Sequence, residues 1–553
     1  MAQSKKAAFR AMYELNDEQE MFRETIADYV KDKMIPRREE LDQDKKFPQW
    51  FYDDMVEMGI TSLIIPEDCD GLGFGLFDVA LVIEEIAVGC SGAATSLGAT
   101  FLGTDPILYF GTEEQKKKYL PRVAAGEVAA FSLTEPDAGS DAGGISTVAD
   151  RQEDGSYTLR GQKTYVTNGG VATIYTTFAL TDKTRGARGI TGFIFEVDPK
   201  NPTPGIEFPK KFDKMGINAS ETREIIFDGF PVAKDDVIGG KEGRGFLHSM
   251  GTFDATRPMI GIIGVGIARS AYEEALKYAH ERSQFGKPII SFRGLQEMFV
   301  DMTTTVEATR ALCLEVAQKV DAKMKGRSRE DVTLLSGVAK VVGSEAGRIT
   351  LDALQTTGGY GYMNETPFPK FVRDFKIFEI FEGTNQIQRE QISLQLIKEQ
   401  AKGTRSATAL QEAEEAIGLS PDSGMDSAIR ARKALDACIA YAVENAHPSD
   451  QYLRFLLADM LIDIETAHTY CKAVSRLGET DRFETNTMTA RIFAKEAALR
   501  TGARARRFLI ATGGEDALEK IAPTAGLADL EYSAAGLAED RKALATILAA
   551  PQD

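Results

Sequence analysis

One feature constrains this chain more than any other. Helical periodicity dominates both ends, and a β-rich texture interrupts it between about residues 128 and 240. From about 15 to 127 apolar residues recur at three- and four-residue spacing, as in DEQEMFRETIADYVKDKMIPRR, which Pro36 is expected to end. Leu76 to Val88 reads as a second helix, opened by Asp78 and closed by Gly89. The segments SYTLRGQKTYVTN, IYTTFALT, ITGFIFEV and ETREIIFDGFPV then alternate β-branched and aromatic residues with Gly, Asn, Asp and Pro. Helical patterning returns at 260–282, 294–323 and 330–356. Residues 401–425 are polar and read as a linker. The stretches 427–446, 450–476 and 483–512 look able to pack as a small helical bundle. A chain of 553 residues is too long for one core, so several domains are expected.

Charge and composition remove whole classes of function. The formal net charge of −18 disfavours nucleic acid, because a phosphate-binding surface is basic. Five scattered cysteines without CxxC spacing suit a reducing compartment, and the four histidines do not sit at ligand spacing, so no metal site is expected. The N-terminus lacks the apolar core of a signal peptide, and no apolar run is long enough to span a bilayer. The expectation is a cytoplasmic protein. Membrane association is not expected, since 401–425 mixes acidic with basic residues.

Six short segments carry the chemistry. In FSLTEPDAGSD (131–141) small residues allow close approach to the backbone and Thr134 and Ser140 offer hydroxyls, although the same composition makes a turn. In TYVTNGG (164–170) Tyr165 and Thr167 share a strand face, so one could lie on a flat ring while the other bonds its edge. A half-buried strand is the bland alternative. In FDATRP (253–258) Asp254 and Arg257 stand three apart and could pair with each other or with a ligand. In ERSQFGKP (281–288) Arg282 presents a fork suited to pyrophosphate, or is a solvated helix end. LQTTGGYGY (354–362) places three glycines in a loop, without the GxGxxG nucleotide spacing. In KIFEIFEGTN, Glu382 sits beside Ile380 and Phe381, where desolvation would raise its pKa toward that of a base. A solvent-facing glutamate at a helix start is the alternative.

In this order TEPDAGSD, YVTNGG, FDATRP, ERSQFGKP, QTTGGYGY and IFEGTNQIQR resemble the landmark series of the FAD-dependent acyl-CoA dehydrogenase family, over residues from about 15 to 397. The part after about 400 resembles the extension of the very-long-chain branch. The resemblance implies a mostly α fold with a central β domain. Its parts would be an N-terminal helical domain (1–127), a middle β-barrel-like domain for flavin and substrate (128–240) and a C-terminal four-helix bundle bearing the catalytic base (241–400). A linker (401–425) and an extra C-terminal helical module (426–553) would follow.

By position, the resemblance implies FAD contacts from Phe131, Leu133, Thr134, Gly139, Ser140, Tyr165 and Thr167. Arg282, Gln284, Phe285, Gln355, Gly358 and Gly359 would hold the adenosine diphosphate end across a dimer interface, completed by Thr384 and Gln386. Ser140, Phe253, Asp254, Arg257 and Gly383 would contact the acyl-CoA. Small residues at Ala94 and Gly98 would leave a deep acyl cavity, or serve helix packing. Glu382 would be the catalytic base. Some relatives place the base on the helix carrying FDATRP, where this chain has Thr256.

The implied reaction is α,β-dehydrogenation of an acyl-CoA to a trans-2-enoyl-CoA, in fatty acid β-oxidation, with medium to long chains. An electron-transfer flavoprotein would be the acceptor for a homodimer. An acyl-CoA oxidase and a non-catalytic flavin-bound scaffold are the competing readings.

Overall fold

The computed structural model describes residues 2–403, 421–445, 449–478 and 483–551. The chain opens with α1 (Ala2–Tyr13) and α2 (Asp17–Tyr29), the latter closed at its start by reciprocal hydrogen bonds between Asn16 and Gln19. Pro36 does not end this helical path. A π turn at Val30–Met34 and a 3-10 turn at Ile35–Arg37 carry it into α3 (Arg38–Gln43). Proline sits in the first turn of a new helical segment, where its missing N–H costs little. After α4 (Gln49–Glu57), α5 runs from Leu76 to Phe110.

Two carboxylates start α5: the Gly75 N–H donates to Asp78 at 2.8 Å, and Phe77 N–H to Asp321 at 2.9 Å. Gly89 does not close this helix. The chain leaves helical geometry for one residue, Cys90 (φ −159°, ψ 112°), and then resumes. Gly89 is small because a Cβ there would stand 3.0 Å from both Met34 and Val30. After α6 (Glu113–Ala124) the first strand begins at Ala129.

The middle region is a curled seven-stranded sheet: β1 (Ala129–Ser132), β2 (Val148–Arg151), β3 (Tyr157–Thr167), β4 (Ile174–Leu180), β5 (Ile190–Glu196), β6 (Ile206–Glu207) and β7 (Thr222–Val232). The order is β1-β4-β2-β3-β7-β6 with β5 against β4. β1 lies parallel to β4, while β3–β7 and β4–β5 are antiparallel. α5 lies on this sheet so closely that a Cβ at Gly103 would meet Ala130 N at 2.6 Å.

Two long helices follow, α7 (Gly245–Glu281) and α8 (Arg293–Met324), joined by a hairpin of β8 (Ser283–Gln284) and β9 (Lys287–Pro288). The single helix expected at 330–356 is two, α9 (Thr333–Ala346) and α10 (Ile349–Thr357), broken at Gly347 and Arg348. A Cβ at Gly347 would meet Phe375 Cβ at 2.8 Å. α11 (Phe368–Phe375) and α12 (Asn385–Lys402) complete the second helical region. α7 and α9 cross backbone to backbone. A Cβ at Gly343 would lie 2.2 Å from Gly261 Cα, and one at Gly264 2.2 Å from Gly343 O. Glycine is the residue that fits there.

The C-terminal module contains α13 (Met425–Glu444), α14 (Gln451–Ser475), α15 (Phe483–Ile521, kinked at Gly514), α16 (Leu527–Glu531) and α17 (Leu537–Ala549). The last two were not expected from the sequence. Most of the expected linker, residues 404–420, lies outside the described residues. The module is ion-paired to the second helical region through Arg389–Asp459 (2.6 Å), Arg454–Glu390 (2.5 Å) and Arg541–Glu297 (2.6 Å).

Candidate active site

Five parts of the chain converge on one cavity of about 120 Å³. α5 contributes Thr95, Gly98, Ala99 and Leu102, spaced to fall on one helix face. The end of β1 and the residues after it contribute Phe131, Leu133 and Thr134, and β3 contributes Thr164, Tyr165 and Thr167. α7 contributes Phe253, Met259, Ile260 and Ile263, and the turn before α12 contributes Phe381 and Glu382.

The β side of the cavity is held by a buried ion pair. Lys163 Nζ lies 2.7 Å from Glu135 Oε1 and donates to Leu133 O at 3.1 Å, while Glu135 accepts the backbone N–H of Ser146 at 2.6 Å. Burial alone would push Glu135 up, but Lys163 and these donors bring its pKa down to about 2, so the pair stays ionised. Thr134 is thereby fixed, its carbonyl accepting the Thr164 N–H at 2.9 Å. Tyr165 does not follow plain strand alternation. The register of β3 against β7 slips between Lys163 and Val166, and Tyr165 takes φ 56°. This bulge leaves its ring 64% exposed beside Phe212, with Thr167 on the same cavity.

Glu382 lies on the opposite wall. It does not start a helix: Thr384 caps α12 by accepting the Ile387 N–H, and Glu382 precedes that cap with φ 54°. Its neighbour Gly383 has φ 88°, and a Cβ there would sit 2.5 Å from Gln388 Nε2. The left-handed pair turns the Glu382 side chain back toward α7, where Thr256 Oγ1 donates to its carboxylate at 2.9 Å. Burial raises the Glu382 pKa to about 7, against the lowering effects of the Thr256 hydroxyl, Arg257 and Lys340. Among the described residues the Glu382 N–H has no backbone acceptor.

Asp254 and Arg257 pair with each other at 2.8 Å, and Asp254 also accepts the Thr333 hydroxyl at 2.7 Å. Arg257 Nε is buried without a partner in the structure. Ala94 is fully buried and lies outside the cavity wall, so at that position helix packing explains the small residue. Gly98 does line the cavity, but it is backed by Met259, whose Cε would be 3.4 Å from a Cβ there. Met259 lines the cavity as well, so the two residues meet at its wall.

The remaining motif residues lie elsewhere. Ser140, Gln284, Gln355 and Gln386 are exposed, as are Arg282, Gly358 and Gly359. Phe285 is 93% exposed at the tip of the β8–β9 hairpin. Tyr278 stacks on Tyr360 at 4.9 Å, joining the end of α7 to the glycine loop. Nothing lies within 4 Å of a Cβ placed on Gly139, Gly286, Gly358 or Gly359, so space for a ligand is open at each. Open backbone at Gly139, the exposed Tyr165 ring and the hydroxyls of Thr134 and Thr167 together fit a flat polar ring bound along the β side. Sequence reasoning missed Lys163, Glu135, Met259 and Lys340. A lysine inside the apolar run VAKVV was the one signal that could have found the last.

Three family models match in succession: acyl-CoA dehydrogenase N-terminal domain at residues 16–127, middle domain at 130–230 and C-terminal domain at 243–397. The short-chain-specific acyl-CoA dehydrogenase of Megasphaera elsdenii is 40% identical over 382 residues, covering 68% of this chain and 97% of that protein. The structure of a Bacillus anthracis acyl-CoA dehydrogenase complexed with FAD superposes with a TM-score of 0.85 at 27% identity. It covers 97% of this chain and 95% of that one. A structure described as an electron transferring flavoprotein of Acidaminococcus fermentans matches with a TM-score of 0.65 at 38% identity, covering 69% of this chain and 98% of that one.

Proposed function

Because the chain belongs to the acyl-CoA dehydrogenase family, FAD-dependent oxidoreductases acting on acyl-CoA, we propose that Glu382 abstracts the α-proton of a short- to medium-chain acyl thioester. The observation that carries this is a half-buried carboxylate with its pKa raised to about 7, aimed into the cavity and oriented by Thr256. Bound FAD supplies the acceptor for the β-hydride. Phe131, Leu133, Thr134, Gly139, Tyr165 and Thr167 hold the ring. Phe253 and the face of α5 shape the acyl site, with the Asp254–Arg257 pair beside it. The unused Glu382 N–H is placed to donate to the thioester carbonyl and stabilise negative charge there.

The exposed cluster of Arg282, Gln284, Phe285, Gln355, Gly358 and Gly359 does not reach this cavity. Its exposure and open backbone support a homodimer in which these residues serve the cofactor of the partner copy. An electron-transfer flavoprotein is the acceptor we propose.

Anaerobic titration of the flavoprotein with saturated acyl-CoAs of graded length is the test. Rapid bleaching by one of them supports the reading. Absence of bleaching with every thioester overturns it, and hydrogen peroxide formation without added acceptor turns it toward an oxidase.

Two further results are expected. Since Glu382 acts only when ionised, kcat/KM should rise with pH through a limb near 7 and level off above it. A flat profile between pH 5.5 and 8.5 would remove it as the titrating base. Met259→Ala should open the space behind Gly98 and move the preferred acyl chain longer, by about two to three methylenes for the side-chain volume removed. An unchanged chain-length profile would show that another group sets the depth.

A further inference from the structure

We propose that Lys340 is a positioning residue for the base: it ties down the backbone of the Glu382 turn with a buried positive charge. This rests on the reading of Glu382 as the base. Lys340 lies on α9 between Ala339 and Val341, which are both fully buried, and it has no exposed surface itself. A helix interior of that kind is ordinarily apolar, because a buried ammonium is costly unless its donors find acceptors. Here two do. Nζ donates to Gly383 O at 2.8 Å and to Asn385 Oδ1 at 2.8 Å. Asn385 is held in turn by Ser344, to which its Nδ2 donates at 3.0 Å.

These acceptors belong to the segment that carries Glu382. The Gly383 carbonyl points inward because Glu382 and Gly383 both have positive φ. The carbonyl before it, that of Glu382, accepts Gln388 Nε2 at 3.3 Å. Both carbonyls of the strained turn are therefore anchored from below, one by a cation. Packing alone would be served by methionine or leucine, so the charge needs a reason. It lies close enough to favour the anionic form of Glu382.

The other groups facing this pair are Arg257 on α7, Glu379 in the turn before the base, Glu345 on α9 and, facing Glu382, Asp105 on α5. Burial lowers Lys340 to about 7 and Glu382 opposes that, so each group supports the charged state of the other.

The test is the pH profile of kcat/KM for FAD-loaded Lys340→Met, Lys340→Arg and Asn385→Asp. With the cation removed, the acid limb should move up by about one pH unit, the low end of what an opposite charge at short range contributes. Asn385→Asp sets a carboxylate against Nζ without removing the cation, at the cost of the amide donor that faces Ser344 and Glu345. It should shift the limb in the same direction even if Lys340→Met does not fold. Lys340→Arg keeps the charge and should leave the limb in place, whatever its rate. A limb unmoved in Lys340→Met or Asn385→Asp, with only the rate reduced, would reduce Lys340 to a packing residue and overturn the proposal. Glu382→Gln separates the two ideas: full turnover in that variant would refute the base itself, whereas an inactive Glu382→Gln beside an unmoved limb refutes Lys340 alone.

Discussion

Glu382→Gln is expected to lower turnover by about 10³-fold or more, the scale of a well-placed general base, while the protein still binds FAD and acyl-CoA. The amide keeps the shape of the side chain and can still accept from Thr256, so the loss isolates proton abstraction. Stability should change the other way. The Glu382 pKa is raised in the folded chain from 4.5 to about 7. Its contribution to stability is therefore fully present below pH 4.5 and is lost as pH rises through 7. At pH 8 the native carboxylate costs stability that glutamine does not, so the variant should melt later than wild type at pH 8 and alike at pH 4.5. An active variant, or one equally stable at both pH values, would refute the assignment.

Gly343→Ala is expected to destabilise the protein by about 3 kcal/mol, the upper range for overpacking a close contact. Its Cβ would lie 2.2 Å from Gly261 Cα and 2.4 Å from Gly261 O, both backbone atoms that no rotamer change can move. α7 and α9 must separate to admit it. α7 carries Thr256 and α9 carries Lys340, so the same shift loosens both supports of Glu382. Denaturant unfolding would show the loss, with turnover at permissive temperature falling as well. A variant with an unchanged midpoint would mean that the crossing is less tight than its geometry.

Much of this arrangement was legible in the sequence where the signal is local. The switch from three-four periodicity to alternating β-branched residues near 128 marks the sheet, because neighbours in sequence report which face of an element is buried. Phe131, Thr134, Tyr165, Thr167, Phe253 and Glu382 all line one cavity. The failures share a cause. Pro36 and Gly89 read as stops, yet a 3-10 turn absorbs the first and the single residue Cys90 the break near the second. Glycine there serves contact with Met34 and Val30, which lie more than fifty residues earlier. Lys163 meets Glu135 across 28 residues, and Lys340 meets Gly383 across 43. Met259 fills the space behind Gly98 from another helix. Pairings of this range depend on how elements pack, and no window along the chain contains both partners.

The ion pairs between α12 and α14 have a consequence for how such a chain can change over generations. Arg389 and Arg454 join the first turns of α12 to the C-terminal module, and α12 begins three residues after Glu382. A lineage that shed the module would leave Arg389 and Glu390 without these partners, on the helix from which the reactive turn is hung. In this chain the added helices and the reactive turn share α12 as a common support, so a substitution at either ion pair is carried to both.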